Sequence, residues 1–294
     1  MAALLIPALF AAAAASDYAG AKACQTCHPQ EYASQSSTAH AHALDRSKPP
    51  QPGEWAFGAG LQAITFVSRA DGDDYFEHGE SWYRRLNAMA LTPGHRNAAG
   101  VRYRIFDPSA AVLRCFSCHS TGPIRIDSSP VETIVPLELG VRCEVCHGPA
   151  ADHARDPRRF RPTTPATLSS TQLNDFCGAC HRMPAPAGSA TDLRNPWNAR
   201  HQPLMLALSA CFRQSAGRLT CFNCHAPHEP LEQKLAAYNA ACGQCHAAPR
   251  HTRPVAGRAC AKCHMPAVRP LPNLAFANHH IAVYAPDDPM WPAK

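Results

Sequence analysis

Gly140-Val141-Arg142-Cys143-Glu144-Val145-Cys146-His147-Gly148-Pro149 is the stretch that decides how this chain is read. Its centre is two cysteines separated by two residues, with a histidine directly after the second. The same pattern occurs at Cys24-Cys27-His28, Cys115-Cys118-His119, Cys177-Cys180-His181, Cys221-Cys224-His225, Cys242-Cys245-His246 and Cys260-Cys263-His264. Independent placement of 15 Cys and 17 His in 294 residues would give about 0.04 such matches. Seven occur, so the pattern was built for a purpose.

The spacing carries chemistry. Two thiols can form thioethers with the vinyl carbons of a haem, and the following imidazole can take one axial position on its iron. On a helix, positions i, i+3 and i+4 share one face, so all three groups meet one porphyrin. Zinc sites also use paired Cys but do not need His after every second one. A redox CxxC would be single, and a disulfide scaffold would not repeat one spacing seven times. Covalent haem c at seven sites is therefore expected, with Cys24, Cys27, Cys115, Cys118, Cys143, Cys146, Cys177, Cys180, Cys221, Cys224, Cys242, Cys245, Cys260 and Cys263 as attachment points. The proximal ligands are then His28, His119, His147, His181, His225, His246 and His264.

Composition agrees with this and excludes other classes. Apolar residues are 46% and charged residues 17%, which argues against disorder. No glycine period, sustained heptad or long apolar run suggests collagen, coiled coil or a membrane bundle. Residues 1–16 read as a signal peptide, with an apolar stretch followed by alanines and cleavage near Ala15 or Ser16. Export to the periplasm, cell surface or beyond is expected. The formal charge of +6 is no nucleic-acid footprint, because no basic stripe with interleaved aromatics accompanies it. An oxidised haem brings a charge of about −1 and a reduced one about −2, so seven would take the molecule to about −1 or about −8. Part of the Arg and Lys complement is then expected to pair with propionates.

The expected mature chain, 17–294, is one haem-cored unit. Motif starts are 91, 28, 34, 44, 21 and 18 residues apart. Only the first gap can hold structure independent of haem, which divides the unit into 17–114 and a six-haem segment 115–294. Within that gap, Leu61 to Arg69 is strand-like, Asp71-Gly72-Asp73-Asp74 a turn, and Tyr75-Phe76-Glu77 the start of a second strand. A small β-containing element is expected over 55–106. Elsewhere the fold is expected to be mainly α with much irregular loop, because Pro- and Gly-rich runs such as Arg161–Pro165 and Met183–Gly188 separate short helices. From Cys115 onward the porphyrins are expected to replace a side-chain core, leaving the haem-free chain largely unfolded.

Ten histidines lie outside the motifs: His40, His42, His78, His95, His153, His201, His228, His251, His279 and His280. They are the pool for second axial ligands. His153, His228 and His251 follow His147, His225 and His246 too closely to reach the far side of the same haem, so as ligands they would serve a neighbouring one. Cys211 is the odd thiol and reads as a small buried apolar residue.

These residues resemble the multihaem cytochrome c superfamily, in the branch related to cytochrome c-554. The signals are Cys24 to His28 followed by Ser37-Thr38-Ala39-His40-Ala41, then Leu91-Thr92-Pro93-Gly94-His95. Further ones are Gly140 to Pro149 with His153, and Leu219-Thr220-Cys221-Phe222-Asn223-Cys224-His225-Ala226-Pro227-His228. The last are Cys260 to Pro266 and Phe276-Ala277-Asn278-His279. The resemblance implies distal iron ligands at His40, His95, His153, His228, His251 and His279. The seventh distal position is left to His42, His78, His201 or His280, or is open.

The function expected first is electron carriage through mostly bis-His haems, with other redox proteins or quinol-linked membrane complexes as partners. A second reading is an oxidoreductase with one open-site haem acting on a small nitrogen or sulfur compound, to which Tyr83 or Tyr103 could contribute. No CxxCK motif or familiar catalytic constellation supports it. A third is a homo-oligomer or subunit of an extracellular cytochrome filament.

Overall fold

The computed structural model describes residues 14–107, 112–128, 132–186, 188–231, 235–247, 251, 260–285 and 287–290. The expected signal peptide lies outside the described residues except for Ala14–Ser16. Helix accounts for 32% and strand for 21%. The architecture is therefore mixed, where the Pro- and Gly-broken sequence suggested mainly α.

Seven antiparallel strands fill the first inter-motif gap: β1 (Leu44–Arg46), β2 (Trp55–Phe57), β3 (Ala63–Arg69), β4 (Asp74–Glu77), β5 (Glu80–Tyr83), β6 (Ala88–Leu91) and β7 (Val101–Arg104). They run in the order β1-β2-β3-β4-β7, with β5 pairing β3 and β6 pairing β5. Strands β3 and β4 pair Val67 with Glu77 and Arg69 with Tyr75, so the expected turn at 71–74 does reverse the chain. Two hairpins were not visible in the sequence: β8 (Ser120–Asp127) with β9 (Thr133–Leu139), and β10 (Ala267–Leu271) with β11 (Leu274–Ala277).

The main side-chain core lies between the sheet and the first hairpin. Leu44, Trp55, Phe57, Val67 and Tyr75 of the sheet pack with Ile105, Val112, Phe116 and Ile134. Phe116 is the second residue of the Cys115 motif. Its ring meets Trp55 at 5.1 Å, Phe57 at 5.0 Å and Tyr75 at 6.1 Å, each edge-on. Such aromatic contacts add roughly 0.5–1.5 kcal/mol each beyond area burial. The expectation that haem alone would form the interior after Cys115 is thus corrected for this first helix, and a small second cluster of Ala199, Met205, Val268 and Met290 exists further on.

The motifs themselves are single helical turns. His28, His225 and His246 each donate their backbone N–H to the carbonyl of the first cysteine of their motif, at 2.8–3.0 Å. The longest helix, Ser170–His181, starts at a Ser169–Gln172 capping box and ends on the fourth motif. It is tied to the helix Gln202–Leu208 by Asn174, whose side chain donates to the Pro203 carbonyl at 3.0 Å.

Candidate haem-binding site

A cavity of about 4280 Å³ runs through the molecule, and every motif cysteine from Cys115 to Cys263 lines it. Ordinary ligand pockets hold roughly 300–1,000 Å³. The space therefore suits several large flat groups side by side. Only the first motif lies off this cavity. It adjoins the cavity through Cys24, whose thiol lies near that of Cys143.

The imidazoles decide what those groups are. Five motif histidines each face a non-motif histidine across a narrow range of separations. His28 faces His153 at 6.4 Å between ring centroids, and His147 faces His228 at 5.9 Å. His181 faces His40 at 6.0 Å, His225 faces His279 at 6.2 Å, and His264 faces His251 at 6.3 Å. Two imidazoles bound to opposite sides of one metal through bonds of about 2 Å would have centroids about 6 Å apart. Rings in stacked contact would be closer. Among the described residues no group of three or more His, Cys, Asp or Glu gathers as a bare metal site. The donor set is two opposed imidazoles, with the remaining positions left for a porphyrin's nitrogens. The residues fit haem.

Hydrogen bonds from the imidazoles to backbone carbonyls support the same orientation. The Nδ1–H of His119 donates to the Ala43 carbonyl at 2.7 Å, His147 to Thr163 at 2.8 Å and His264 to Ala282 at 2.8 Å. On the opposing side, His153 donates to Phe160 at 2.9 Å and His279 to Ala277 at 3.0 Å. Such a bond fixes the tautomer and leaves Nε2 for a metal. Burial lowers the pKa of His40, His119, His181 and His225, and pushes that of His279 down to about 4. All five are held neutral, the form that ligates iron.

This chain is a multihaem c-type cytochrome. The sequence model for the family described as cytochrome c554 and c-prime matches residues 23–64 and 77–148. The multihaem cytochrome MtrA of Shewanella baltica is 24% identical over 52% of this chain and 45% of its own length. Cytochrome c-554 of Nitrosomonas europaea is 25% identical over 58% of this chain and 59% of its own. The cytochrome thus spans about half the length of the curated relatives it matches. Among solved structures, the outer cell wall cytochrome OcwA superposes with a TM-score of 0.61 at 18% identity, covering 92% of this chain and 81% of that one. An undecahaem cytochrome from the S-layer of Carboxydothermus ferrireducens gives 0.54 at 17% identity, covering 93% and 53%.

Several devices in the cytochrome place its histidines. His40 sits on a segment that packs against Gly140 just before the third motif. Val141 donates its N–H to the His40 carbonyl at 2.8 Å, and a Cβ on Gly140 would collide with the Ala41 carbonyl. Gly140 also has φ +77°, which favours glycine. Glu144, inside the third motif, is buried and accepts N–H bonds from Ala19, Gly20 and Ala150, all at 2.8 Å. It anchors the chain start and the approach to His153. Nothing in the motif pattern signalled this role for a variable position. Ser209 donates to the His279 carbonyl at 2.9 Å and accepts from the Ile281 N–H at 2.8 Å, which pins the last distal candidate.

Not every expected residue joins a pair. His95 lies 3.4 Å from the Glu77 carboxylate and faces no motif imidazole. Among the described residues none faces His119 or His246 at this spacing. His42 approaches Asp45, His78 bonds Ser68, His201 bonds Asn198, and His280 meets Tyr284.

Thiols of different motifs also meet. Besides Cys24 near Cys143, Cys118 lies near Cys180, Cys177 near Cys221, and Cys242 near Cys260. Cys146 lies near Cys177 and Cys180, and Cys224 near Cys242. Burial, reinforced by the neighbouring thiol, pushes Cys24 and Cys242 up to about 11 and Cys180 up to about 12.

Proposed function

We propose that this cytochrome holds seven haems c and carries electrons along them in the spatial order first, third, fourth, fifth, sixth and seventh motif, with the second as a branch on the fourth. The observation that carries this reading is the chain of thiol contacts between motifs. A thioether sulfur marks the edge of its porphyrin, so neighbouring sulfurs bring two porphyrin edges together. Cys24–Cys143 joins the first and third motifs, Cys146 near Cys177 the third and fourth, and Cys177–Cys221 the fourth and fifth. Cys224 near Cys242 and Cys242–Cys260 continue to the seventh, while Cys118–Cys180 attaches the second to the fourth.

Bound haem supplies a one-electron ferric–ferrous couple. The residues do the rest. Five imidazole pairs would fill both axial positions of five irons and leave no place there for substrate. Their ligands are His28 with His153, His147 with His228, His181 with His40, His225 with His279, and His264 with His251. In all five pairs the two ligands are far apart in sequence or come from different motif neighbourhoods, so ligation would stitch the chain as well as tune the irons. Among the described residues no helix is long and apolar enough to cross a membrane. The apolar N-terminal stretch and the two structural neighbours, an outer cell wall cytochrome and a cytochrome from an S-layer, support export to the periplasm or cell surface. Partners are then other redox proteins or quinol-linked membrane complexes, and assembly into a homo-oligomer or filament is the further extension of this reading.

The test combines mass and spin. Intact-mass measurement of the exported holoprotein is expected to show seven haems, and fewer would overturn the count. His279→Ala is expected to keep all seven covalently bound and to turn one low-spin signal high-spin in electron paramagnetic resonance. An unchanged spectrum would remove His279 from the ligand set.

A further inference from the structure

The stretch Arg155-Asp156-Pro157-Arg158-Arg159-Phe160-Arg161 is exposed throughout. Its backbone is fastened to two candidate iron ligands. The Phe160 carbonyl accepts a hydrogen bond from His153 at 2.9 Å, and the Thr163 carbonyl just beyond it accepts one from His147 at 2.8 Å. The Thr163 N–H returns to the His147 carbonyl at 2.9 Å. Asp156 closes the loop by accepting the N–H groups of Arg158 and Arg159, each at 3.2 Å. His153 faces His28 of the first motif, and His147 belongs to the third. The loop therefore sits where the first and third haems would adjoin.

Its charge is lopsided, with four arginines against one aspartate. Arg155 is paired with Asp152, and Asp156 is occupied by the turn. Arg158, Arg159 and Arg161 form no ion pair among the described residues, and they line no part of the large cavity. Between them the Phe160 ring is 38% exposed, with the Arg159 guanidinium 5.2 Å from its centroid. Arginine and aromatic side chains are the types enriched where proteins meet. With its haems attached the molecule as a whole would be negative, so this loop is a positive spot on an anionic body. An acidic partner is repelled elsewhere and attracted here, which fixes its orientation as well as its approach. Electron-transfer encounters bury little surface, so one loop is enough. A single loop is too short for the basic stripe that tracks a nucleic acid. Three arginines alone also fall short of a stable membrane anchor, which takes two signals.

We propose that the loop carrying Arg158, Arg159, Phe160 and Arg161 is the docking surface for a small acidic redox protein that exchanges electrons with the first haem. The inference rests on the reading that the first haem ends the electron path, and it names the kind of partner met there. In the donor direction one electron leaves the partner's reduced centre and converts the first ferric iron to ferrous. No bond forms or breaks.

The test follows reduction of the oxidised holoprotein by stopped flow. Reduced plant-type ferredoxin, an acidic iron–sulfur protein, is compared with photoreduced lumiflavin, an uncharged donor. The ferredoxin rate is expected to fall ~10-fold or more as salt rises from about 0.02 M to about 0.5 M, while the lumiflavin rate holds. The triple variant Arg158→Gln, Arg159→Gln, Arg161→Gln is expected to lose ~10-fold in the low-salt ferredoxin rate and most of its salt dependence. Lysine at the same three positions should restore both, because steering needs the charge and not the guanidinium's shape. Unchanged ferredoxin rates in the glutamine variant would overturn the proposal. So would a wild-type ferredoxin rate indifferent to salt, a result that needs no variant. Equal slowing with both donors and a shifted potential at one haem would also overturn it, since the arginines would then be partners of propionates. Loss of binding to phosphatidylserine vesicles in the glutamine variant, with ferredoxin rates unchanged, would assign the loop to a membrane surface instead. His153→Ala tests the underlying path separately. An unchanged spin spectrum there would strike the first haem's ligand pair, while the ferredoxin rates still decide the loop.

Discussion

Two motifs of this cytochrome carry phenylalanine at the same place, Cys115-Phe116-Ser117-Cys118 and Cys221-Phe222-Asn223-Cys224, and the two rings live in different worlds. Phe116 is 0% exposed, clasped by Trp55, Phe57 and Tyr75. Phe222 is half-buried on a single 3-10 turn and faces the haem cavity. One motif is mounted on a protein core, and the other has only the cavity's future occupants to pack against. The helices Leu235–Gly243 and Cys260–His264, which carry most of the last two motifs, contain no buried residue at all. Burial of apolar surface is the dominant favourable term in folding. A segment without it must draw its stability from the porphyrin, as small metal-dependent domains draw theirs from metal.

The largest expected effect follows directly. In protein produced without haem attachment, hydrogen exchange should show fast exchange in Leu235–Gly243 and Cys260–His264, while β1–β4 and β7 with the β8–β9 hairpin keep protected amides. Uniform protection along the chain would show that these two helices hold without haem. Uniform loss would show that the sheet also depends on the second haem.

A smaller effect sharpens the comparison at single residues. Phe116→Ala should cost about 3–5 kcal/mol, the usual range for removing a fully buried ring. Phe222→Ala should cost much less in the haem-free chain, and its effect should grow once haem is attached. Thermal or denaturant unfolding of the holo and haem-free forms of both variants measures this. Equal costs in the haem-free protein would erase the distinction between the two regions.

The parts of the molecule that were legible in the sequence share one property: their signal is local. The seven motifs declare themselves within five residues. The β3–β4 reversal is written in Asp71-Gly72-Asp73-Asp74 between alternating apolar residues. The later hairpins hid because β8 contains Gly122 and Pro123, β9 contains Pro136 and β10 contains Pro270, residues that normally argue against a strand. The imidazole pairs are the other extreme. That His153 could not serve the haem of His147 followed from spacing, but that it would face His28 did not, since it depends on Glu144 tying the chain start beside Ala150. The family resemblance implies His95 as a distal ligand, and in the fold its Nε2 stands 3.4 Å from the Glu77 carboxylate.

Cys211 gives the finest test of the contrast between a core of side chains and a core of cofactors. Sequence alone makes it a small apolar residue. The structure sets it half-buried, with burial raising its pKa, near Cys224, Cys242 and Cys245. It therefore stands where the fifth and sixth porphyrin edges would meet, in a region with few packed side chains. As a protonated thiol it is a weak hydrogen-bonding group and a poor nucleophile. Cys211→Ala is expected to leave the haem count and all spin states unchanged and to shift stability by less than about 1 kcal/mol, since one sulfur's packing is lost without a buried polar group being stranded. Intact mass, electron paramagnetic resonance and unfolding of the holoprotein check this together. A changed potential at one haem with unchanged count would mean that the sulfur lies against a porphyrin edge, as expected of a region whose interior is the cofactor. A lost haem would instead mean that the thiol takes part in attachment.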